Sequence, residues 1–253
     1  MLRLAIALLA LASLPLAAAD RLVAIETRPG VRVAYWWMER PDATATVMLL
    51  PGGEGGIGMK EGVPTSQNFL VRSRDLFAAA GFNVAIVGKP SDRTDLDPGF
   101  RASSDHVADL RRIAEKLRKD FGKPVWLVGT SLGTISAAAT AIAMDPGEIA
   151  GIVLSSSRTG GNYPTVPGLA LSKIRVPVLV VHHRDDACPS CNPREAPRIV
   201  DGLTNAPMKK FILLTGGGGA SGPPCEALHY HGYIGMEKEA VETITAWMRS
   251  PVS

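Results

Sequence analysis

Five short apolar runs without alternating polar residues constrain the fold of this chain more than any other feature. They read VMLL, VAIV, VWLV, GIVL and VLVV, beginning at residues 47, 84, 125, 151 and 178. A strand with one exposed face alternates apolar and polar residues, whereas a parallel strand covered by helices on both faces is apolar throughout. The runs therefore predict a mostly parallel, twisted α/β sheet with helices on both faces.

Two β-rich runs precede this pattern, at residues 21–28 and 31–40, and Pro29-Gly30 separates them. Such an arrangement is typical of an antiparallel hairpin, which we expect to open the sheet. Trp36 and Trp37 should face opposite sides of it, because successive strand side chains alternate.

The N-terminus has the composition of a secretory signal peptide. One cation, Arg3, precedes an apolar stretch, Leu4–Leu16, and a run of three alanines follows. This stretch of 13 residues is shorter than the roughly 20 that a membrane span needs. We predict a signal peptide at residues 1–19 and export to the periplasm or the medium.

The remaining chain, 20–253, is predicted to be a single domain without an internal repeat. The full sequence has 27 basic and 24 acidic residues, a net charge of +3 and no long run of one sign, so we expect no nucleic-acid partner and, after signal cleavage, no membrane span. The segment 157–176 is too short for a large lid over the sheet. The sequence leaves the oligomeric state open.

The run VWLV leads into Gly129-Thr130-Ser131-Leu132-Gly133, a GxSxG motif between a predicted strand and a predicted helix. Serine is also a favoured helix N-cap, so the motif alone is ambiguous. In a sharp strand-to-helix turn, however, small residues at positions 129 and 133 let the backbone pass closely, and the serine hydroxyl is exposed as a nucleophile.

With this motif the chain resembles the α/β-hydrolase family, in particular its esterase-like and dienelactone-hydrolase-like members with a short or absent lid. The family's chain order is nucleophile, acid, histidine. The strand after the Ser131 helix ends in SSSR without a carboxylate, and the next ends in VVHHRDD. The resemblance implies Asp186 as the acid, with Asp185 as the alternative.

A base after Asp186 must be His229 or His231. His231 is favoured because HGYIGMEKEAV leads directly into the last predicted helix, as the family's histidine segment does. The glycine-rich loop LLPGGEGG resembles the family's oxyanion loop. The implied N–H donors are Leu132 and either Gly53 or Glu54.

Three cysteines in an exported protein leave one unpaired. A Cys188–Cys225 disulfide would join the loops of the implied acid and base. Pairing of Cys191 with either of the other two, or a zinc site of cysteines and a histidine, is the alternative. CPSC resembles a redox pair, but its prolines favour an irregular loop.

The sequence thus predicts a serine hydrolase with a Ser131–Asp186–His231 triad that cleaves a carboxylic ester or related acyl bond of a small molecule, without metal or organic cofactor. Peptidases, thioesterases and acyltransferases share these residues, and a non-catalytic binding protein or a thiol protein using CPSC are alternatives from other classes.

Overall fold

The computed structural model describes residues 19–162 and 164–253. Residues 1–18 of the predicted signal peptide lie outside the described residues, and the signal peptide stays a prediction. No helix in the described part of the chain combines the length and the apolar character that a membrane span requires.

Ten strands are present among the described residues. In chain order they are β1 (Arg21–Arg28), β2 (Val31–Met38), β3 (Ala45–Leu50), β4 (Met59–Lys60), β5 (Val63–Pro64), β6 (Phe82–Pro90), β7 (Val125–Thr130), β8 (Gly151–Ser155), β9 (Val178–His183) and β10 (Lys209–Leu214). Eight of them form one sheet in the order β1-β2-β6-β3-β7-β8-β9-β10, and β4 pairs with β5 in a separate two-stranded hairpin.

The predicted sheet is confirmed. Strands β3, β6, β7, β8, β9 and β10 run parallel, and β1 and β2 form the antiparallel hairpin at one edge. All five apolar runs lie in strands, and β3, β7, β8 and β9 are buried along their whole length. Trp36 and Trp37 lie in different core clusters, one on each face of the sheet.

Seven α-helices are present in the part of the chain that the structure describes. They are α1 (Phe69–Arg72), α2 (Arg74–Ala79), α3 (Pro98–Arg101), α4 (Ser104–Phe121), α5 (Gly133–Ala143), α6 (Pro197–Gly202) and α7 (Glu237–Arg249). Apolar residues of α4, α5 and α6 contribute to one core cluster, and those of α1, α2 and α7 contribute to the other. The helices therefore lie on both faces, as the apolar strands require.

Two helical segments are short or interrupted. The segment 69–81 forms two helices that meet at Ser73, a residue type with low helix propensity. Within the segment 194–203 the α-helix is limited to α6, which begins at Pro197, because proline lacks the N–H group that a preceding α-helical turn would use. The segment 157–176 contains two 3₁₀ turns, Val166–Gly168 and Leu171–Lys173.

Cys188 and Cys225 form a disulfide bond across 37 residues, and Cys191 is free and buried. This is the pairing favoured from the sequence. Closing a loop of this length in the unfolded chain corresponds to about 4 kcal/mol in the chain-entropy model. The bond fixes the segment before the last helix to the segment after β9.

Three histidines besides the predicted base are buried, and two of them have strongly lowered pKa values. His106 makes a hydrogen bond of 2.9 Å to Ser136 Oγ through Nε2, and His182 Nε2 accepts the N–H of Ser157 at 2.9 Å. Burial lowers the pKa of each to about 3. Both are therefore neutral in the folded protein at pH values where an unfolded histidine, with a pKa of about 6.5, takes up a proton.

The neutral histidines predict acid-sensitive stability. Their contribution to the free energy of unfolding is complete above pH ~6.5. It is lost as the pH falls towards 3, because in this range the unfolded chain binds more protons than the folded chain. In that pH window each histidine changes the free energy of unfolding by at most about 1.4 kcal/mol per pH unit. Urea unfolding between pH 7 and 4.5 should show a shallower pH slope in His106→Gln than in the wild type. Equal slopes would contradict a neutral, buried His106.

Candidate functional site

Ser131 occupies the turn between β7 and α5 and has a left-handed backbone, with φ of +53°. This conformation is unfavourable for a residue with a side chain and persists where the surroundings enforce it. A Cβ atom on Gly129 would lie 2.4 Å from the Gly133 carbonyl oxygen, and one on Gly133 would lie 2.0 Å from the Leu50 carbonyl oxygen. Both motif glycines are therefore required by close backbone contacts.

Asp186 and His231 are in direct contact. Asp186 follows β9, and its Oδ2 lies 2.8 Å from His231 Nδ1; both side chains are almost fully buried. The other carboxylate oxygen, Oδ1, accepts the backbone N–H of Cys188 at 2.9 Å. A carboxylate at Nδ1 favours the tautomer with the proton on Nδ1, which leaves Nε2 with a lone pair that can accept a proton.

The alternative acid and base are elsewhere. Asp185 is exposed and pairs with Arg184, whose guanidinium lowers the pKa of the Asp185 carboxyl. The His229 ring makes no hydrogen bond to any described residue, although its Nδ1 is shielded from solvent. The structure thus brings together Asp186 and His231 and leaves the two alternatives apart.

Side chains at the end of β8 anchor the loop of His231, a role that the sequence did not reveal. Ser156 Oγ donates a hydrogen bond of 2.9 Å to the His231 carbonyl oxygen. Ser155 Oγ donates to the Tyr233 hydroxyl at 3.1 Å, and that hydroxyl donates to the Val181 carbonyl oxygen at 3.0 Å. The run SSSR, which lacks a carboxylate, therefore positions the histidine loop. Its three consecutive serines were the only sequence signal.

Ser131 and His231 line the same pocket, which has a volume of about 690 Å³. Its walls come from the glycine loop after β3, the segment before α1, the Ser131 turn and the two loops that the disulfide joins. No hydrogen bond within 3.5 Å joins Ser131 Oγ to His231 in the described structure. Such contacts are often long without substrate and tighten when it binds.

The free thiol of Cys191 lies beside the serine, with its Sγ 3.9 Å from Ser131 Oγ. Burial raises the pKa of this thiol to about 12, so it is protonated at neutral pH. Cys188, Cys191 and His231 each have a potential ligand atom within 4.8 Å of the others. With Cys188 in the disulfide, these residues offer no pair of thiolates and do not fit the zinc alternative. CPSC forms no internal disulfide.

The glycine loop touches the Ser131 turn through its backbone. A Cβ atom on Gly52 would lie 2.7 Å from Ser131 Cβ and 2.9 Å from the Thr130 carbonyl oxygen. Gly53, Glu54 and Leu132 also line the pocket, and their backbone N–H groups donate no hydrogen bond to any described residue. The three predicted donors are thus available beside the serine, and the geometry does not choose between Gly53 and Glu54.

Two arginines near the site were not identified from the sequence. Arg158 lines the pocket, and its Nε is buried without a hydrogen-bond partner among the described residues. Arg101 lies behind the glycine loop and donates hydrogen bonds to its carbonyl groups. Neither belongs to a recognisable motif, since their surroundings come from distant segments.

No family model matches the chain, and no curated protein matches it by sequence. Several solved structures do match the chain. The Pyrococcus furiosus esterase PF2001 is 14% identical with a TM-score of 0.65, and the match covers 91% of this chain and 90% of that one. An α/β serine hydrolase homologue from Coxiella burnetii is also 14% identical, with a TM-score of 0.63 and coverage of 92% and 99%.

XC6422 from Xanthomonas campestris, an α/β serine hydrolase without a lid, is 16% identical with a TM-score of 0.60, and the match covers 92% of this chain and 96% of that one. At such low identity the comparisons establish the fold alone. Together with the sheet order and the turn at Ser131, they show that this chain has the α/β-hydrolase fold.

Proposed function

We propose that this protein is a serine hydrolase that cleaves a carboxylic ester or related acyl bond of a small molecule. One observation carries the proposal: Ser131, on a strained turn, faces the same pocket as His231, whose Nδ1 is bonded to a buried carboxylate. The solved structures of this fold named above include an esterase and serine hydrolases, which supports the same reaction class.

In the proposed mechanism, His231 Nε2 takes the proton of Ser131 Oγ as that oxygen attacks the acyl carbon. Asp186 holds the imidazole orientation and stabilises the imidazolium. The backbone N–H of Leu132 and that of Gly53 or Glu54 receive the oxyanion. His231 then protonates the leaving alcohol, and water releases the acyl group from Ser131 by the same steps. This chemistry needs no cofactor.

A fluorophosphonate probe and a p-nitrophenyl ester test the nucleophile. The wild type should be labelled, whereas Ser131→Ala should not, and its turnover should fall by roughly 10³-fold or more. Ser190→Ala is the matched control, because Ser190 lines the same pocket and should leave labelling intact. A folded wild type that fails to label would refute the proposal and favour a non-catalytic binding protein.

The same assay tests the partners through matched pairs. His231→Ala and Asp186→Asn should reduce turnover by roughly 10³-fold or more, because the base or its tautomer is lost. His229→Ala and Asp185→Asn should change turnover less than about twofold, since neither side chain is hydrogen-bonded to a member of the proposed triad. A reversal within either pair would reassign that role. Aminoacyl amides assayed beside the esters distinguish an esterase from a peptidase.

Gly52 offers a test of the oxyanion loop. In Gly52→Ala the new methyl group would overlap the Ser131 turn, so the loop must move, and a shift near 1 Å lowers kcat/KM by roughly 10²-fold. Gly56→Ala is the control, because a Cβ atom there meets nothing within 4 Å and the residue lines the same pocket. Equal kcat/KM values for the two variants would show that the loop takes no part.

We further propose that the protein is exported and processed before Asp20. The Cys188–Cys225 bond supports this, because disulfides persist in oxidising compartments. The intact mass of the exported protein should correspond to a chain beginning at Asp20. A non-reduced digest should join the peptides of Cys188 and Cys225. An exported protein with an unprocessed N-terminus, or one with three free thiols, would contradict the proposal.

A further inference from the structure

Arg101 is a buried cation that forms no ion pair with a described residue, although the Asp97 carboxylate acts on it at longer range. It ends α3 and is 1% exposed, and no carboxylate of a described residue lies within ion-pair distance of its guanidinium. Removing a charge from water without an opposite charge is costly, and burial accordingly lowers the pKa of this guanidinium. Such a residue requires either a complete set of acceptors or a role for its charge.

The guanidinium donates only to uncharged oxygens. Nε donates to the Leu96 carbonyl at 2.8 Å and Nη1 to Ser136 Oγ at 3.0 Å. Nη2 donates to the carbonyls of Pro51 at 3.1 Å and Gly53 at 3.0 Å. Two of the four acceptors therefore belong to the glycine loop that lines the pocket beside Ser131.

These contacts set the direction of the loop's N–H groups. In a planar trans peptide the carbonyl and the N–H point in opposite directions. Fixing the Gly53 carbonyl towards Arg101 therefore directs the Glu54 N–H away from it, and fixing the Pro51 carbonyl does the same for the Gly52 N–H. A cation on the carbonyl oxygen also polarises the peptide, so that its N–H becomes a better donor.

The neighbouring residues maintain this arrangement. Ser136 on α5 accepts from Arg101 and is bonded to His106 Nε2, and the neutral His106 adds no second positive charge beside the guanidinium. Gly55 has φ of +79°, and a Cβ atom there would lie 2.4 Å from the Leu96 side chain and 3.2 Å from Arg101 Nη2. The glycine therefore lets the loop pass close to the arginine.

We propose that Arg101 is a positioning residue for the reaction: it holds the oxyanion loop in register with Ser131, and its charge strengthens the loop's N–H donors as negative charge develops on the substrate. This inference rests on the proposed hydrolase function. It assigns to Arg101 an effect on the transition state, whereas an arginine that only stabilised the fold would leave the kinetics of the folded protein unchanged.

Arg101→Met and Arg101→Lys test the proposal with a pair of ligands. Ser131 Oγ adds to the carbonyl carbon of an alkyl trifluoromethyl ketone, its proton passes to His231 Nε2 and the carbonyl oxygen becomes an oxyanion, whereas the corresponding methyl ketone binds without a stable adduct. Arg101→Met should weaken binding of the trifluoromethyl ketone by a factor of roughly 10² and should lower kcat/KM of a p-nitrophenyl ester by a similar factor. Binding of the methyl ketone and KM should change less than twofold. Arg101→Lys, which keeps the charge, should lose less trifluoromethyl ketone affinity and less kcat/KM than Arg101→Met.

Arg118→Met is the matched control, because Arg118 also donates to two carbonyl groups, those of Gly147 and Glu148, but away from the pocket. It should leave both ketone affinities unchanged. If Arg101→Met does not fold, Ser136→Ala removes one guanidinium acceptor and should weaken the trifluoromethyl ketone selectively by a few-fold.

The outcomes separate the two proposals. Suppose that the wild type turns over esters, but that the Arg101 and Ser136 variants lose affinity equally for both ketones or for neither. This result overturns the role of Arg101 and leaves the proposed function intact. A wild type that neither labels with fluorophosphonate nor forms the trifluoromethyl ketone adduct overturns both.

Discussion

The structure of the site depends on backbone segments that approach one another too closely for side chains. The end of β3, the glycine loop and the turn after β7 meet at Gly133, where a Cβ atom would lie 2.0 Å from the Leu50 carbonyl oxygen, and at Gly52, where it would lie 2.7 Å from Ser131 Cβ. Glycine is thus a steric necessity at both positions. This contact holds Ser131 in its left-handed conformation and keeps the loop's backbone beside the serine.

Asp186 and His231, the proposed acid and base, lie on loops that are distant in sequence from this turn. Strand order supplies most of the placement, because parallel strands end at the same edge of the sheet, and β7, β8 and β9 are neighbours there. Finer placement comes from the Cys188–Cys225 bond and from the hydrogen bond of Ser156 to the His231 backbone. The buried Asp186 carboxylate keeps hydrogen-bond partners on both oxygens, as a desolvated charge requires.

In the proposed mechanism, two buried charges of opposite sign lie behind the groups that become charged. The carboxylate of Asp186 is bonded to His231, which becomes positive when it takes the serine proton. The guanidinium of Arg101 is bonded to the loop that receives the oxyanion. Fixed charges in a low-dielectric interior act strongly and need no reorganisation during the reaction. The arrangement therefore favours the charge separation of the transition state.

The sequence by itself determined the sheet and the turn, because both follow from local chemistry: unbroken apolar runs for covered strands, and glycines at 129 and 133 for a close turn. It narrowed the acid and the base to two candidates each. Only the tertiary structure shows that Asp186, and not Asp185, contacts His231, since adjacent residues of the same type differ only in where the backbone directs them. The contacts of Arg101 and Ser156 also became visible only in the tertiary structure. Their partners lie roughly 50 and 75 residues away, and contacts at such separations depend on the packing of the whole sheet.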